Sequence, residues 1–166
     1  LKLLELTKIK VLMIKINVIN NYAAWLRFIK NPSSYIDRKI KKLNYKNKKY
    51  KKNIIFCTIL LSGNKEIKNL NKRFRKKNKS TDVLSFPFHQ KKNLKSILEK
   101  EKEIYLGDII INFNKIKYKG DHSHFKTQFD KLWIHGLIHL FGHEHQKEKD
   151  FVKMNQVELD YLKYIK

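Results

Sequence analysis

Apolar residues follow two different periods along the chain, and four segments show the pattern typical of strands. "MIKINV" at 13–18 alternates apolar and polar residues, as a strand with one buried face does. "NIIFCTILL" at 53–61 is a nearly continuous run rich in β-branched residues, which favours a strand in a sheet interior. "TDVLSFPF" at 81–88 and "EIYLGDIIIN" at 103–112 predict two further strands. We therefore expect a sheet of about four strands.

Helical spacing separates the first strands. After Pro32, apolar residues recur every three or four positions, namely Ile36, Ile40 and Leu43. A turn at 62–64 leads into a short helix with Asn64 as the predicted N-cap, and its apolar positions are Ile67, Leu70 and Phe74. The charged segment 89–102 is compatible with a loop or a peripheral helix, and we expect its Lys91 to lie at the periphery.

The C-terminal third predicts two helices. The first starts near Phe125 and carries its apolar stripe on Phe129, Trp133, Leu137 and Leu140. Gly142 is the predicted stop signal. An amphipathic helix follows at about 150–164, with apolar positions Phe151, Met154, Leu162 and Ile165. Because strands and helices do not alternate strictly, the pattern predicts an α+β fold with a mixed sheet packed against helices.

Length and composition set the domain organisation. A chain of 166 residues with 42% hydrophobic residues can form one globular domain with a core. Because the sequence opens on Leu1 and has a methionine at Met13, we expect residues 1–12 to be an N-terminal extension and residues 13–166 to form the single domain. We detect neither a signal peptide nor the roughly 20 apolar residues of a membrane span, which predicts a cytoplasmic protein without a membrane partner.

The charge balance predicts a polyanionic partner. Lys and Arg number 38 against 15 Asp and Glu, a formal net charge of +23, and such a field attracts nucleic acids. An A+T-rich genome would also enrich Lys, Ile and Asn, so codon bias remains an alternative. The lone Cys57 excludes an internal disulfide, suits a reducing compartment, and lies in an apolar run that predicts burial.

The densest chemistry lies in "HGLIHLFGHEH" at 135–145. His135 and His139 are four residues apart, so on a helix their imidazoles share a face and can bind one ion. Gly142 lets the chain fold back, so that His145 can supply a third ligand. Three neutral nitrogens with no fourth protein ligand nearby predict one zinc ion with an open coordination position, as in catalytic sites. Core histidines satisfied by hydrogen bonds are the alternative.

The same spacing occurs in zinc proteases with the motif HExxHxxGxxH, whose glutamate is the general base. Gly136 occupies that position here. Zinc could still activate water, but the residue that would deliver a proton to an amine leaving group is missing from its usual position. Phosphodiester hydrolysis by a positively charged protein therefore fits better than peptide hydrolysis.

Three blocks of the sequence resemble the YbeY family of bacterial endoribonucleases. "HGLIHLFGHEH" resembles the signature H-G-x-L-H-L-x-G-Y-D-H, "LNKRFRKKNKSTDVLSFPF" at 70–88 resembles the stretch L-N-x-x-Y-R…T-D/N-V-L-S-F-P, and "YLGDIII" at 105–111 resembles the strand L-G-D-I-x-I. The blocks occur in the family's order. The departures are mild, with Ile138 for Leu, Phe74 for Tyr, His143 for Tyr and Glu144 for Asp.

The resemblance implies a cytoplasmic, zinc-dependent endoribonuclease specific for single strands. Its role would be ribosomal RNA processing, notably at the 3′ end of 16S rRNA, and ribosome quality control, with rRNA and the small ribosomal subunit as partners and no DNA. It implies a zincin-like helix whose zinc ligands are His135, His139 and His145, with Arg75 as the catalytic residue. Apart from the resemblance, the chemistry of arginine supports this role for Arg75, because a planar guanidinium can bind two phosphoryl oxygens at once. The alternative is that Arg75 is a solvated charge in a basic run.

Two other functions stay open at this point. One is a ribosome-assembly factor that binds RNA and whose zinc is structural, and the other, less favoured, is a metalloprotease-like hydrolase. Asp82 is interpreted as a turn cap ahead of its strand.

Overall fold

A four-stranded sheet organises the chain. The computed structural model describes residues 12–46, 53–117, 120–143 and 148–166. The strands are β1 (Leu12–Asn20), β2 (Asn53–Ser62), β3 (Val83–Pro87) and β4 (Glu103–Asn112). The α-helices are α1 (Pro32–Lys46), α2 (Asn64–Arg75), α3 (Lys91–Lys100), α4 (His122–Leu140) and α5 (Glu148–Ile165). Short 3₁₀ helices lie at Ala23–Arg27 and Phe113–Lys115. The predicted α+β class with a four-stranded mixed sheet in a single domain is confirmed.

The strands lie in the order β1-β2-β4-β3. β1, β2 and β4 run parallel, and β3 pairs antiparallel with β4 at the edge of the sheet. Because side chains alternate across a strand, β2 turns Ile55, Cys57 and Ile59 to one side, which we call the core face, and Phe56 and Thr58 to the other, which we call the second face. Helices α1, α3, α4 and α5 contribute to the core on the first side, and α2 packs on the second.

The buried aromatic residues fix α4 against the core face. Phe125, Phe129 and Trp133 of α4 are fully buried, as is Trp25 of the first 3₁₀ helix. The rings of Trp25 and Phe129 have centroids 5.2 Å apart. The predicted apolar stripe of α4 is therefore confirmed, and Cys57 is buried as expected.

Two residues of α2 differ from the prediction. Gly63, and not Asn64, is the N-cap of this helix; the Asn64 side chain instead accepts a hydrogen bond of 2.8 Å from Asn112 Nδ2. Phe74 is 57% exposed, so it lies at the margin of the contact between α2 and the sheet and not in the core. Its ring makes an edge contact with Phe86 on β3.

The segments that spacing left ambiguous are settled by packing. Residues 91–100 form α3, so the helix is the correct one of the two expected alternatives; most of its residues are exposed, and Leu94 and Leu98 are buried in the main core. In α5 the expected core residue Phe151 is 57% exposed. The strand predicted from Met13 starts at Leu12, and the rest of the expected extension lies outside the described residues. No helix in the described part of the chain has the length and apolarity needed to cross a bilayer.

Candidate metal centre and its surroundings

The two ends of α4 are shaped by short-range hydrogen bonds. Asp121 caps the N-terminus, and its carboxylate accepts from the backbone N–H groups of Ser123 and His124. At the other end Gly142 adopts a left-handed conformation with φ +82°, and the His143 N–H reaches back to the Ile138 carbonyl at 3.3 Å. This is the reversal that glycine makes possible after a helix. The predicted stop at Gly142 is confirmed.

His135 and His139 lie one turn apart on α4 and face each other. Their Nε2 atoms are 3.1 Å apart, and their rings stand nearly perpendicular, with centroids 4.6 Å apart. Both side chains are half-buried. The two imidazoles therefore lie on the same face of the helix, as the sequence spacing predicts.

The outer nitrogen of each ring is held by an oxygen acceptor. His139 Nδ1 lies 2.8 Å from the His143 carbonyl, and His135 Nδ1 lies 3.0 Å from Glu158 Oε2 on α5. Because a carbonyl and a carboxylate only accept, each Nδ1 carries the proton and donates it. In the neutral rings both Nε2 atoms then present lone pairs to each other.

This donor set fits a shared metal ion. Two facing lone pairs repel each other unless a cation lies between them, and neutral imidazole nitrogen is a preferred zinc ligand. Two nitrogens at ordinary zinc distances in a tetrahedral site are about 3.3–3.4 Å apart, close to the 3.1 Å between His135 and His139. Hydrogen bonding of the distal Nδ1 to a carboxylate or carbonyl is the usual way in which a histidine ligand is oriented.

Glu158 is the residue of this site that the sequence did not reveal. It belongs to α5, whose spacing suggested only an amphipathic helix, and it lies 23 positions after His135. Its side chain is 21% exposed and that of His135 is 30% exposed. Its contact with His135 depends on how α5 packs against α4, which no local pattern reveals. The available signal was an acidic residue within the predicted apolar stripe of α5, four positions after Met154 and four before Leu162.

The chain after Gly142 is described only in part. His145, the third predicted ligand, and Glu144 lie outside the described residues, and within those residues no group of three or more His, Cys, Asp or Glu suited to a metal ion occurs. His143 is half-buried, and its Nε2 has no hydrogen-bond partner among the described residues. Burial, together with the charge of Lys91, lowers the pKa of His143, which favours a neutral ring beside the site.

Gly136 shows why the protease glutamate is absent. A Cβ at this position would lie 2.5 Å from Ile109 Cγ2 on β4 and 3.2 Å from Ser85 Oγ on β3. The residue after His135 therefore faces the sheet and not the metal-ligating side of α4, and it allows the helix to pack closely on the strands. A glutamate here would have to enter the core, where an unpaired carboxylate is strongly disfavoured.

Arg75 reaches the outer edge of the sheet next to α4. Its Nη2 donates to the Ser85 carbonyl at 3.2 Å, and Ser85 Oγ in turn donates to the Gly136 carbonyl at 3.2 Å. The Ser85 residue thus joins the end of α2 to the helix turn that carries His135. Arg75 is exposed, and among the described residues this is the hydrogen bond that its guanidinium makes, so the other N–H groups can donate to a phosphate.

Two further predicted residues lie near the site or at a strand start. Lys91 is exposed, as expected, but it also lies against the end of α4, where a Cβ on Gly142 would be 3.1 Å from Lys91 Cγ. The start of α3 therefore borders the candidate site. Asp82 is a turn cap, as predicted, since its carboxylate accepts from the Val83 N–H at 2.9 Å.

Comparisons with known proteins agree on one family. A family model described as Endoribonuclease YbeY matches residues 27–166. The Endoribonuclease YbeY of Pelagibacter ubique is 45% identical over 158 residues, which cover 93% of this chain and 97% of that protein. The protein of the same name from a Wolbachia strain is 32% identical over 157 residues, covering 90% and 93%. The solution structure of TM1509 from Thermotoga maritima shares the fold, with a TM-score of 0.54 at 21% identity over 91% of this chain and 89% of that one.

Proposed function

Because the chain belongs to the YbeY endoribonuclease family, we propose that it is a zinc-dependent endoribonuclease specific for single-stranded RNA. Its substrate is ribosomal RNA, its tasks are 3′-end maturation of 16S rRNA and ribosome quality control, and it acts in the cytoplasm with the small ribosomal subunit as partner. The observation that carries the metal dependence is the pair of Nε2 atoms of His135 and His139 facing each other at 3.1 Å.

The metal site is proposed to consist of His135, His139 and His145, with one zinc per chain. Zinc, when bound, supplies a Lewis acid that polarises a phosphate oxygen or activates water. Glu158 and the His143 carbonyl fix the tautomers of the two helical ligands, so that Nε2 is the nitrogen offered to the ion.

Arg75 is proposed to bind the phosphate that reacts. Phosphodiester cleavage places additional negative charge on the nonbridging oxygens, and a guanidinium can bind two of them in one plane. The bond to the Ser85 carbonyl holds the side chain at the edge of β3. Ser85 also donates a hydrogen bond to the Gly136 carbonyl, so a single residue links Arg75 to the turn of α4 that carries His135.

Peptide hydrolysis is not favoured by the packing of Gly136. The sheet occupies the space that the protease glutamate would need, so the proton carrier of that mechanism has no place in this helix. The alternative function is an RNA-binding assembly factor with a structural zinc, and an experiment must distinguish it from a zinc-dependent endoribonuclease.

The first test removes the central ligand. His139→Ala should lower zinc content well below one ion per chain and abolish cleavage of unstructured RNA, while His124→Gln serves as the matched control. His124 is on the same helix, about 22 Å away along its axis and exposed. Metal analysis and an RNA cleavage assay measure the two effects. A His139→Ala protein that still holds one zinc per chain with unchanged affinity would refute the metal site.

The second test separates catalysis from binding at Arg75. Arg75→Ala should cut single-turnover cleavage about 100- to 1000-fold, the scale for removing one well-placed transition-state donor, with a smaller effect on RNA affinity. Arg75→Lys should restore activity only in part, because an ammonium cannot bind two oxygens in one plane. Lys68→Ala, an exposed charge on the same helix, is the control. If Arg75→Ala only weakens RNA binding, as a docking charge would, the catalytic assignment is wrong. Wild-type protein that holds zinc and cleaves no RNA would favour the structural-zinc alternative.

A further inference from the structure

Among the described residues, a helix covers the second face of the sheet at one of its two ends. There α2 packs through Ile67, which lies in a small cluster with Leu84 and Ile110. At the other end the strand register places Lys15, Phe56 and Tyr105 side by side on β1, β2 and β4. Phe56 is half-buried, and Lys15 and Tyr105 are exposed.

Aromatic rings continue across this end to the edge strand. Phe88, directly after β3, is 69% exposed, and its ring meets the Tyr105 ring edge-on at 5.8 Å. Phe86 lies two residues earlier on the same side, and its ring contacts that of the exposed Phe74 at 5.2 Å. We call these residues the aromatic surface: Phe56, Phe74, Phe86, Phe88 and Tyr105. The rings of Phe74, Phe88 and Tyr105 are exposed, and a group of exposed apolar side chains on a protein surface often marks a binding site.

Cations lie directly beside these rings. The Lys15 ammonium is 5.6 Å from the centre of the Phe56 ring, and the Arg73 guanidinium is 5.3 Å from that of Phe74. Arg75 follows on the same helix. The acidic residues of this area include Asp108, which accepts a hydrogen bond from the Tyr105 hydroxyl, and Glu103, which lies two residues before Tyr105 on the same face of β4. In a chain of net charge +23, the surface offers ring faces and positive charge together.

We propose that the aromatic surface binds single-stranded RNA, with bases stacked on Phe88 and its neighbouring rings and phosphates held by the adjacent cations. This inference rests on the proposed function and adds where the substrate lies. A protein that must bind a single strand without reading a fixed sequence typically combines aromatic side chains with a basic track, because every base has a face that can stack. Bases in a duplex are already stacked on each other and are not available to such rings.

The aromatic surface lies near residues that border the candidate metal centre. Phe88 and Lys91 are three residues apart, at most about 10 Å of extended chain, and Lys91 lies against Gly142 at the end of α4. A second route passes through Arg75, whose helix also carries Phe74 and whose guanidinium meets Ser85 at the edge of β3. A strand held by the rings can therefore pass the edge of β3 and reach the histidines.

The test measures RNA binding and cleavage by Phe88→Ala, Phe88→Trp and Phe151→Ala in the full chain. Phe151 is the matched control, since its ring is also exposed, at 57% against 69% for Phe88, but it belongs to α5 in the helical layer of the core face. Fluorescence anisotropy with a short uridine-rich RNA gives the affinity, a duplex of the same length gives the comparison, and initial rates give KM and kcat separately. Circular dichroism confirms that each variant is folded.

The expected result is a loss of affinity for the single strand of about 5- to 150-fold in Phe88→Ala, the range for one base stacked on one ring. KM should rise with kcat nearly unchanged, Phe88→Trp should restore binding, and duplex affinity should change little. Wild-type protein that binds the single strand through Phe88 yet cleaves nothing would refute the proposed function and leave this surface standing. Three results would each overturn the inference. Phe88→Ala could have the same RNA affinity as Phe151→Ala, or the wild type could fail to bind the single strand. The third result is a wild-type dimer that Phe88→Ala dissociates without any change in RNA affinity.

Discussion

Glu158 should determine how tightly the histidines hold their ion. Its Oε2 accepts the hydrogen bond from His135 Nδ1 at 3.0 Å, which fixes the ring with Nε2 towards His139. Loss of such a hydrogen bond to a ligand's distal nitrogen typically lowers metal affinity about 10- to 100-fold. This corresponds to about 1.4–2.8 kcal/mol of binding free energy.

The structure orders two substitutions within that range. Glu158→Gln keeps an oxygen that can accept from His135 Nδ1 but removes the charge, so it should lie near the tenfold end. Glu158→Ala removes both the acceptor and the charge and should lie near the hundredfold end. The contact is about one fifth to one third exposed, with side-chain exposures of 21% and 30%, so screening by water is only partial.

Zinc affinity is measured by competition with a chromophoric chelator, and unfolding by denaturant confirms that the variants are folded. Asp160→Asn is the matched control, because this acid is two positions further along the same helix and pairs with Gln156 instead. Zinc affinity should be highest and equal in the wild type and Asp160→Asn, lower in Glu158→Gln and lowest in Glu158→Ala. Unchanged zinc affinity in Glu158→Ala would refute the claim that α5 orients His135.

Three further predictions concern packing, the thiol and charge. Gly136→Ala should lower the free energy of unfolding, because overpacking costs about 1–3 kcal/mol and improved helix propensity returns only about 1 kcal/mol. The new Cβ would lie 2.5 Å from Ile109 Cγ2, whereas that of the control Gly120→Ala meets nothing within 4 Å. Equal stability of the two variants in urea would contradict this prediction. Burial raises the pKa of the Cys57 thiol to about 12, so a thiol reagent at mildly alkaline pH should modify it only as the protein unfolds; immediate reaction with folded protein would show an accessible thiolate. RNA affinity should fall linearly with salt on a double-logarithmic plot, with a slope of about −0.7 for each phosphate contacted on a single strand, and a flat plot would exclude a basic binding surface.

Much of the fold could be read from the sequence because it depends on local periodicity. The apolar run of β2 and the stripe of α4 indicate which residues are buried, since side chains repeat every two residues in a strand and every three or four in a helix. The ambiguous segment 91–100 shows the limit of this signal. Its Leu94 and Leu98 recur at helical spacing among many charges, and only the neighbouring core decides that they are buried.

The candidate site divides in the same way. The sequence by itself places His135 and His139 on one helix face and Gly142 at its end, because each of these depends on bonds within a few residues of the same chain segment. Glu158 comes from another helix, and its contact with His135 depends on how α5 packs on α4. The contact of Gly136 with Ile109 and the grouping of exposed rings on the second face likewise join residues distant in sequence. Local periodicity carries no information about such pairs, and only the tertiary structure, which minimises exposed apolar area over the whole chain, decides them.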